Sequence, residues 1–163
     1  MANARARLRT KRIFNLMIIG ADRRTRNAFI QSLLGENNME EENGLPLLNF
    51  GKVKSGPYSV NLYGIPSDPR FAKIWQAFAP KVEGMILLGG AGSEKDISNL
   101  NYALSLLRED VKGPAILVNT DPVHYEIPLE ENMPDVKTFT CFPSDRIRAA
   151  GILKDLLAEL NCR

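Results

Sequence analysis

The stretch Ile13-Phe14-Asn15-Leu16-Met17-Ile18-Ile19-Gly20-Ala21-Asp22-Arg23-Arg24-Thr25-Arg26-Asn27-Ala28-Phe29-Ile30-Gln31-Ser32-Leu33-Leu34-Gly35 decides the fold. Ile13 to Ile19 is a short apolar run that ends at a glycine, the pattern of a buried strand. Residues 24 to 34 then place Ala28, Phe29, Leu33 and Leu34 on one helical face, with Gly35 as the stop. The segment therefore reads as strand, turn and helix.

Working outward, Glu36 to Gly44 is polar and acidic and reads as a flexible loop. Leu47 to Val53 and Tyr58 to Tyr63 read as two strands joined in a hairpin at Gly56-Pro57. After the Pro66-Ser67-Asp68-Pro69 turn, residues 70 to 78 set Phe71, Ile74, Trp75 and Phe78 at helical spacing, with Trp75 read as core. Val82 to Leu88 and Ala115 to Val118 are apolar enough to be strands buried on both faces, with an amphipathic helix over residues 96 to 107 between them. Residues 119 to 135 hold three prolines and little periodicity. Val136 to Thr140 is the last strand, and Ser144 or Asp145 caps a closing helix through Leu160. This order predicts an α/β sandwich of three layers around a six-stranded, mostly parallel sheet with one antiparallel edge strand.

The composition fits such a fold. The chain has 163 residues, enough for one core, and its 44% hydrophobic and 25% charged residues exclude a disordered chain. No apolar stretch approaches the roughly 20 residues that span a bilayer, and Asn15 and the 20–24 stretch break any secretory leader, so a cytoplasmic location is expected. Cys141, Cys162 and His124 are too few and too scattered for a zinc site. Arg5, Arg7, Arg9, Lys11 and Arg12 precede Ile13 with no acid among them, so the net charge of +2 leaves the remainder at −3. Residues 1–12 read as a basic flexible arm able to contact an anionic surface, and 13–163 as a single domain. Nucleic acid is not the expected partner.

Ligands of open α/β sheets lie beyond the carboxyl ends of the strands, at loops 20–27, 64–70, 119–122 and 140–145. These loops resemble those of the Ras-like small GTPases, from about Phe14 to Leu160. The likeness is greatest to the bacterial gliding-motility and conservon branch, whose second switch reads G-T-P-G-Q-x-R-F before an aromatic-rich helix. Here the segment is Leu62-Tyr63-Gly64-Ile65-Pro66-Ser67-Asp68-Pro69-Arg70-Phe71, followed by Trp75. Leu48-Asn49-Phe50-Gly51-Lys52-Val53 is similar to the D-F-G-x-[IV] start of that branch's second strand. The resemblance implies a P-loop-NTPase-like fold.

The departures fall on the chemistry. A GxxxxGK[ST] loop closes backbone N–H groups on phosphates, reaches them with lysine and binds Mg²⁺ through its hydroxyl. Gly20-Ala21-Asp22-Arg23-Arg24-Thr25-Arg26-Asn27 keeps only the first glycine, with Arg26 in place of lysine and Asn27 in place of the hydroxyl. Ser67 and Asp68 replace the phosphate-sensing glycine and the water-orienting glutamine. The base-reading N-K-x-D becomes Asn119-Thr120-Asp121-Pro122, with Asp121 one position early. Cys141, Asp145 and Arg146 resemble part of the branch's C-D-A-R-D-R segment.

Two readings follow. In the first, the chain is a non-hydrolysing pseudo-GTPase with no catalytic residue, no cofactor and no metal. Its switch-like surface of Pro66, Pro69, Phe71, Trp75 and Phe78 then binds a protein, and a roadblock-type regulator is the class the resemblance implies. In the second, Gly20, Arg26, Asn27, Asn119 and Asp121 still hold GTP or GDP with Mg²⁺, as a weak guanine-nucleotide switch. Glu40-Glu41-Glu42 reads as a solvated loop rather than a cation site, and Asp68 with Asp121 lacks the nucleophile or histidine of a catalytic pair.

Overall fold

The computed structural model describes residues 12–34, 48–90, 94–121 and 136–162. Six strands are present, β1 (Arg12–Gly20), β2 (Asn49–Ser55), β3 (Tyr58–Pro66), β4 (Gly84–Gly89), β5 (Ala115–Asn119) and β6 (Lys137–Thr140). The helices are α1 (Arg23–Leu34), α2 (Ala72–Phe78), α3 (Glu94–Leu107) and α4 (Arg146–Asn161), with short 3₁₀ turns at Pro69–Phe71 and Ala79–Lys81 flanking α2. The strands form one sheet in the order β2-β3-β1-β4-β5-β6, parallel throughout except for the antiparallel β2–β3 pair at one edge. The predicted α/β architecture is the observed one.

Helices cover both faces because the central strands are apolar on both. In β1, Phe14, Leu16 and Ile18 pack with α1 and α4, while Met17 and Ile19 pack with α2 and α3. Burying each such side chain contributes about 1.5–3 kcal/mol, so this two-sided strand anchors both layers. The β2–β3 hairpin turns at Gly56 with φ +58°, a conformation that favours glycine. Asp145 caps α4 by accepting from the Arg148 N–H at 3.0 Å, which selects it over Ser144 as the helix start.

Several boundaries differ from the sequence reading. Arg12 belongs to β1 rather than to the arm; its guanidinium donates to Asn161 and lies over the Phe14 ring. The helix predicted over 70–78 is split, since Pro69 starts a tighter 3₁₀ turn that ends at Phe71. Helix α3 begins at Glu94, two residues before the predicted start, with Glu94 and Asp96 favouring its positive first turn. The acidic loop Glu36 to Gly44, the basic stretch 1–11, Pro122 and His124 lie outside the described residues. Among the described residues no helix is long and apolar enough to cross a membrane.

Candidate functional site

Parallel pairing sets Gly20 beside both Pro66 and Leu88, and Gly89 beside Asn119. The carboxyl ends of β1, β3, β4 and β5 therefore meet at one rim. That rim is where open α/β sheets hold their ligands.

Helix α1 rises from this rim, and Asp22 satisfies part of its first turn. Asp22 Oδ1 accepts the Arg24 N–H at 3.0 Å, and the Thr25 hydroxyl donates to Oδ2 at 3.2 Å. A carboxylate thus stands at the helix N-terminus, where the backbone dipoles favour an anion.

Arg26 lies on the inward stripe of α1 with Phe29, Ile30 and Leu33, and only 1% of its surface is exposed. Its Nη1 donates to the Gly20 carbonyl at 2.6 Å and its Nε to Asn49 Oδ1 at 2.9 Å. Burial lowers its pKa to about 10, with Asp22 opposing the shift and Arg23 adding to it, so the guanidinium remains charged at neutral pH. Two glycines make the room. A Cβ on Gly20 would sit 3.3 Å from Arg26 Cγ, and one on Gly64, which pairs with Asn49 across the hairpin, would sit 2.8 Å from Asn49 Cβ.

Among the described residues, one cleft at the rim is bounded by Gly20, Ala21, Asp22, Thr25, Leu88, Gly89 and Thr120, and it amounts to about 10 Å³. That is room for about one water molecule, so these residues as arranged do not fit the phosphates of a nucleotide. Asn27 is half-buried on α1 and does not border this space. Gly20 and Arg26 come together, but with the arginine bound to the strand end.

The remaining loops are likewise committed to one another. The Asn119 side-chain oxygen accepts the Asp121 N–H at 3.1 Å, and the Thr120 N–H and hydroxyl both donate to the Gly89 carbonyl, at 2.8 and 2.6 Å. The Ser67 N–H donates to the Gly20 carbonyl at 3.1 Å. Asp68 accepts the Arg70 N–H at 2.9 Å and pairs with its guanidinium at 3.0 Å, and these bonds hold its carboxyl below and the Arg70 guanidinium above their ordinary ranges. Among the described residues no cluster of three or more His, Cys, Asp and Glu gathers for a metal.

The switch-like aromatics separate into two groups. Trp75 is 0% exposed, and its indole N–H donates to the buried Pro66 carbonyl at 2.8 Å. It is core, as its spacing predicted, and offers no docking surface; the expectation that it contacts a partner is corrected accordingly. Phe71 and Phe78 are half-buried and Pro69 is exposed. Sequence reasoning missed Phe50 and Tyr63, whose rings continue the Phe78 surface at centroid distances of 5.4 Å (Phe50–Tyr63) and 5.0 Å (Tyr63–Phe78). It also missed Asn49, although the period of β2 puts this polar residue on the inward face with Gly51 and Val53.

Neither a scan against protein-family models nor a search of the curated proteins returns a match for this sequence.

Proposed function

We propose that the protein is a pseudo-GTPase, a small-GTPase-like sandwich that hydrolyses nothing and works by binding another protein. The observation that carries this reading is the buried Arg26 guanidinium, bonded to Gly20 and Asn49 where the resembled family holds phosphate. For GTP to bind there, Arg26 must leave its two acceptors and the Asp22 carboxylate must give up the helix start, each leaving polar groups to be satisfied again at about 1–3 kcal/mol. Hydrolysis would further need a glutamine-like group to orient water, and Asp68 is turned onto Arg70. The protein is expected in the cytoplasm, with a roadblock-type regulator as the partner class.

The test is the nucleotide content of freshly purified, denatured protein, read by chromatography and mass spectrometry, followed by a GTP turnover assay with Mg²⁺. No bound guanine nucleotide and no turnover above background are expected. Stoichiometric GDP or GTP, or magnesium-dependent turnover, would overturn the proposal in favour of a nucleotide switch. Reverting Thr25→Gly, Arg26→Lys and Asn27→Thr together should raise affinity only slightly, since the Asn119-Thr120-Asp121 loop stays bonded to itself and to the Gly89 carbonyl.

A further inference from the structure

A second cleft lies at the ends of the strands opposite the rim. The hairpin turn Ser55 to Tyr58 leads into the amino end of β3, and facing it α4 presents Lys154, Leu157, Ala158 and Asn161, one helical face by their spacing. The cleft between them holds about 320 Å³, at the small end of ligand sites, which run from about 300 to about 1,000 Å³. Its walls are fixed from within the chain. Gly56, at φ +58°, sets the turn, and the Tyr58 ring packs on Phe14 with 5.4 Å between centroids. The Arg12 guanidinium lies 4.8 Å from the Phe14 centroid and donates to Asn161 Oδ1 at 3.0 Å, which ties the base of β1 to the end of α4. Leu157 is buried and Tyr58 half-buried, so the lining is partly apolar. The polar groups around it are mainly donors. The Lys154 and Ser55 side chains enter no hydrogen bond or ion pair among the described residues. Asn161 gives its oxygen to Arg12, which leaves its amide Nδ2 to donate. Among the described residues no carboxylate borders the cleft, and Glu159, on another side of α4, turns to Lys137 at 3.8 Å.

We infer that this cleft binds a small amphipathic anion, a carboxylate with a short apolar body. The body enters between Pro57, Tyr58 and Leu157, and the carboxylate meets Lys154, the Asn161 amide and, at the edge, Arg12. Removal of the body from water drives binding, and the charge-assisted hydrogen bonds orient the head group. A donor set without an acid beside it selects an anion over a neutral or cationic amphiphile of the same length. The chain's own basic arm is a poor occupant, because Arg5, Arg7, Arg9 and Lys11 would meet Lys154 and Arg12 with like charge. The inference goes beyond the protein-binding role and is independent of the rim, since the cleft shares no residue with it.

The experiment is an amide NMR titration of the isotope-labelled full chain with octanoate, 1-octanol and octyltrimethylammonium. Octanoate should give saturable shifts confined to Ser55–Tyr58 and the last two turns of α4. The alcohol should bind at least about tenfold more weakly, for want of a charge-assisted hydrogen bond, and the cation more weakly still. Lys154→Glu should lower octanoate affinity by at least about tenfold and raise that of the cation. Ala158→Trp, which fills the cleft, should abolish saturation by all three. Both positions are exposed on α4, so the core is untouched, and melts of the two variants verify that. Equal affinity for the three probes, shifts that lie elsewhere in the chain, or binding indifferent to both substitutions would overturn the inference. So would binding confined to vesicles rich in phosphatidylserine with no saturation by octanoate, which would assign this end of the molecule to a membrane surface instead.

Discussion

Arg26 and Asn49 are joined by a 2.9 Å hydrogen bond between the guanidinium Nε and the side-chain oxygen, tying the first turns of α1 to the first residue of the edge strand β2. The same guanidinium closes on the Gly20 carbonyl, which also accepts from Ser67, so both acceptor sites of that oxygen are used. The arginine thus bonds to the rim as a ligand would, from inside the chain.

A double-mutant cycle measures that bond. Arg26→Lys shortens the reach and removes the fork, leaving at least one of two acceptors unpaired, which costs about 1–3 kcal/mol. Asn49→Ala should cost a similar amount. The double substitution should cost less than the two added together by about 1 kcal/mol, since each alone already breaks the shared bond. Strict additivity in urea melts would show that the two residues act independently. Because the folded pKa of Arg26, about 10, lies below its unfolded value, the burial penalty is constant at lower pH and is relieved only as pH rises above it. The stability of wild type relative to Arg26→Met, which carries no titrating group, should therefore hold steady from about pH 6 to about pH 9.

Two glycines should respond with opposite sign. A Cβ on Gly64 would meet Asn49 Cβ at 2.8 Å, its Oδ1 at 3.0 Å and Ile30 Cδ1 at 3.2 Å, so Gly64→Ala displaces the Arg26 acceptor and costs about 1–3 kcal/mol. Gly151 lies in α4 with nothing within 4 Å of the added atom, and Gly151→Ala should stabilise by about 0.5–1 kcal/mol. Thermal melts of the two proteins decide it; a neutral Gly64→Ala would mean that β2 shifts freely and does not hold Asn49 in place.

The central strands β1, β4 and β5 were legible because each is largely a contiguous apolar run, and the layer order followed from the number and spacing of all six. Arg26 was not. Its type argued for a solvent-facing or phosphate-facing cation, yet its position three and four residues before Phe29 and Ile30 put it on the buried stripe, and position decided. The same holds at Asn49, inward by strand period although polar by type. Phe78 could be placed on a helix from sequence, but its partial exposure depends on the Tyr63 ring packed against it, which Phe50 flanks in turn. That packing is a tertiary fact with no local signature.

Cys141 provides a test of the rim's packing that needs no partner. Its thiol is 2% exposed, its N–H donates to the Asn119 carbonyl at 3.0 Å, and its sulfur lies 3.2 Å from the Phe142 carbonyl, to which S–H can donate. Burial pushes the thiol pKa up, the Asp145 carboxylate adds to that, and Arg148 opposes it. Cys162 is exposed at the end of α4. With an aromatic disulfide reagent near neutral pH, one thiol per chain should react promptly and the second only on unfolding, since the thiolate is the reactive form. A raised folded pKa also fixes the pH dependence of stability. The contribution is complete below the unfolded thiol pKa of about 8.5, and is lost as pH rises through the folded value, because the unfolded chain gives up its proton first. The stability of wild type relative to Cys141→Ala should therefore shrink above about pH 8.5 and stay level below it. Equal prompt reactivity of both thiols, or a difference that stays level through about pH 10, would mean that the Asn119–Cys141 contact opens in solution and that the ends of β5 and β6 are not held together at the rim.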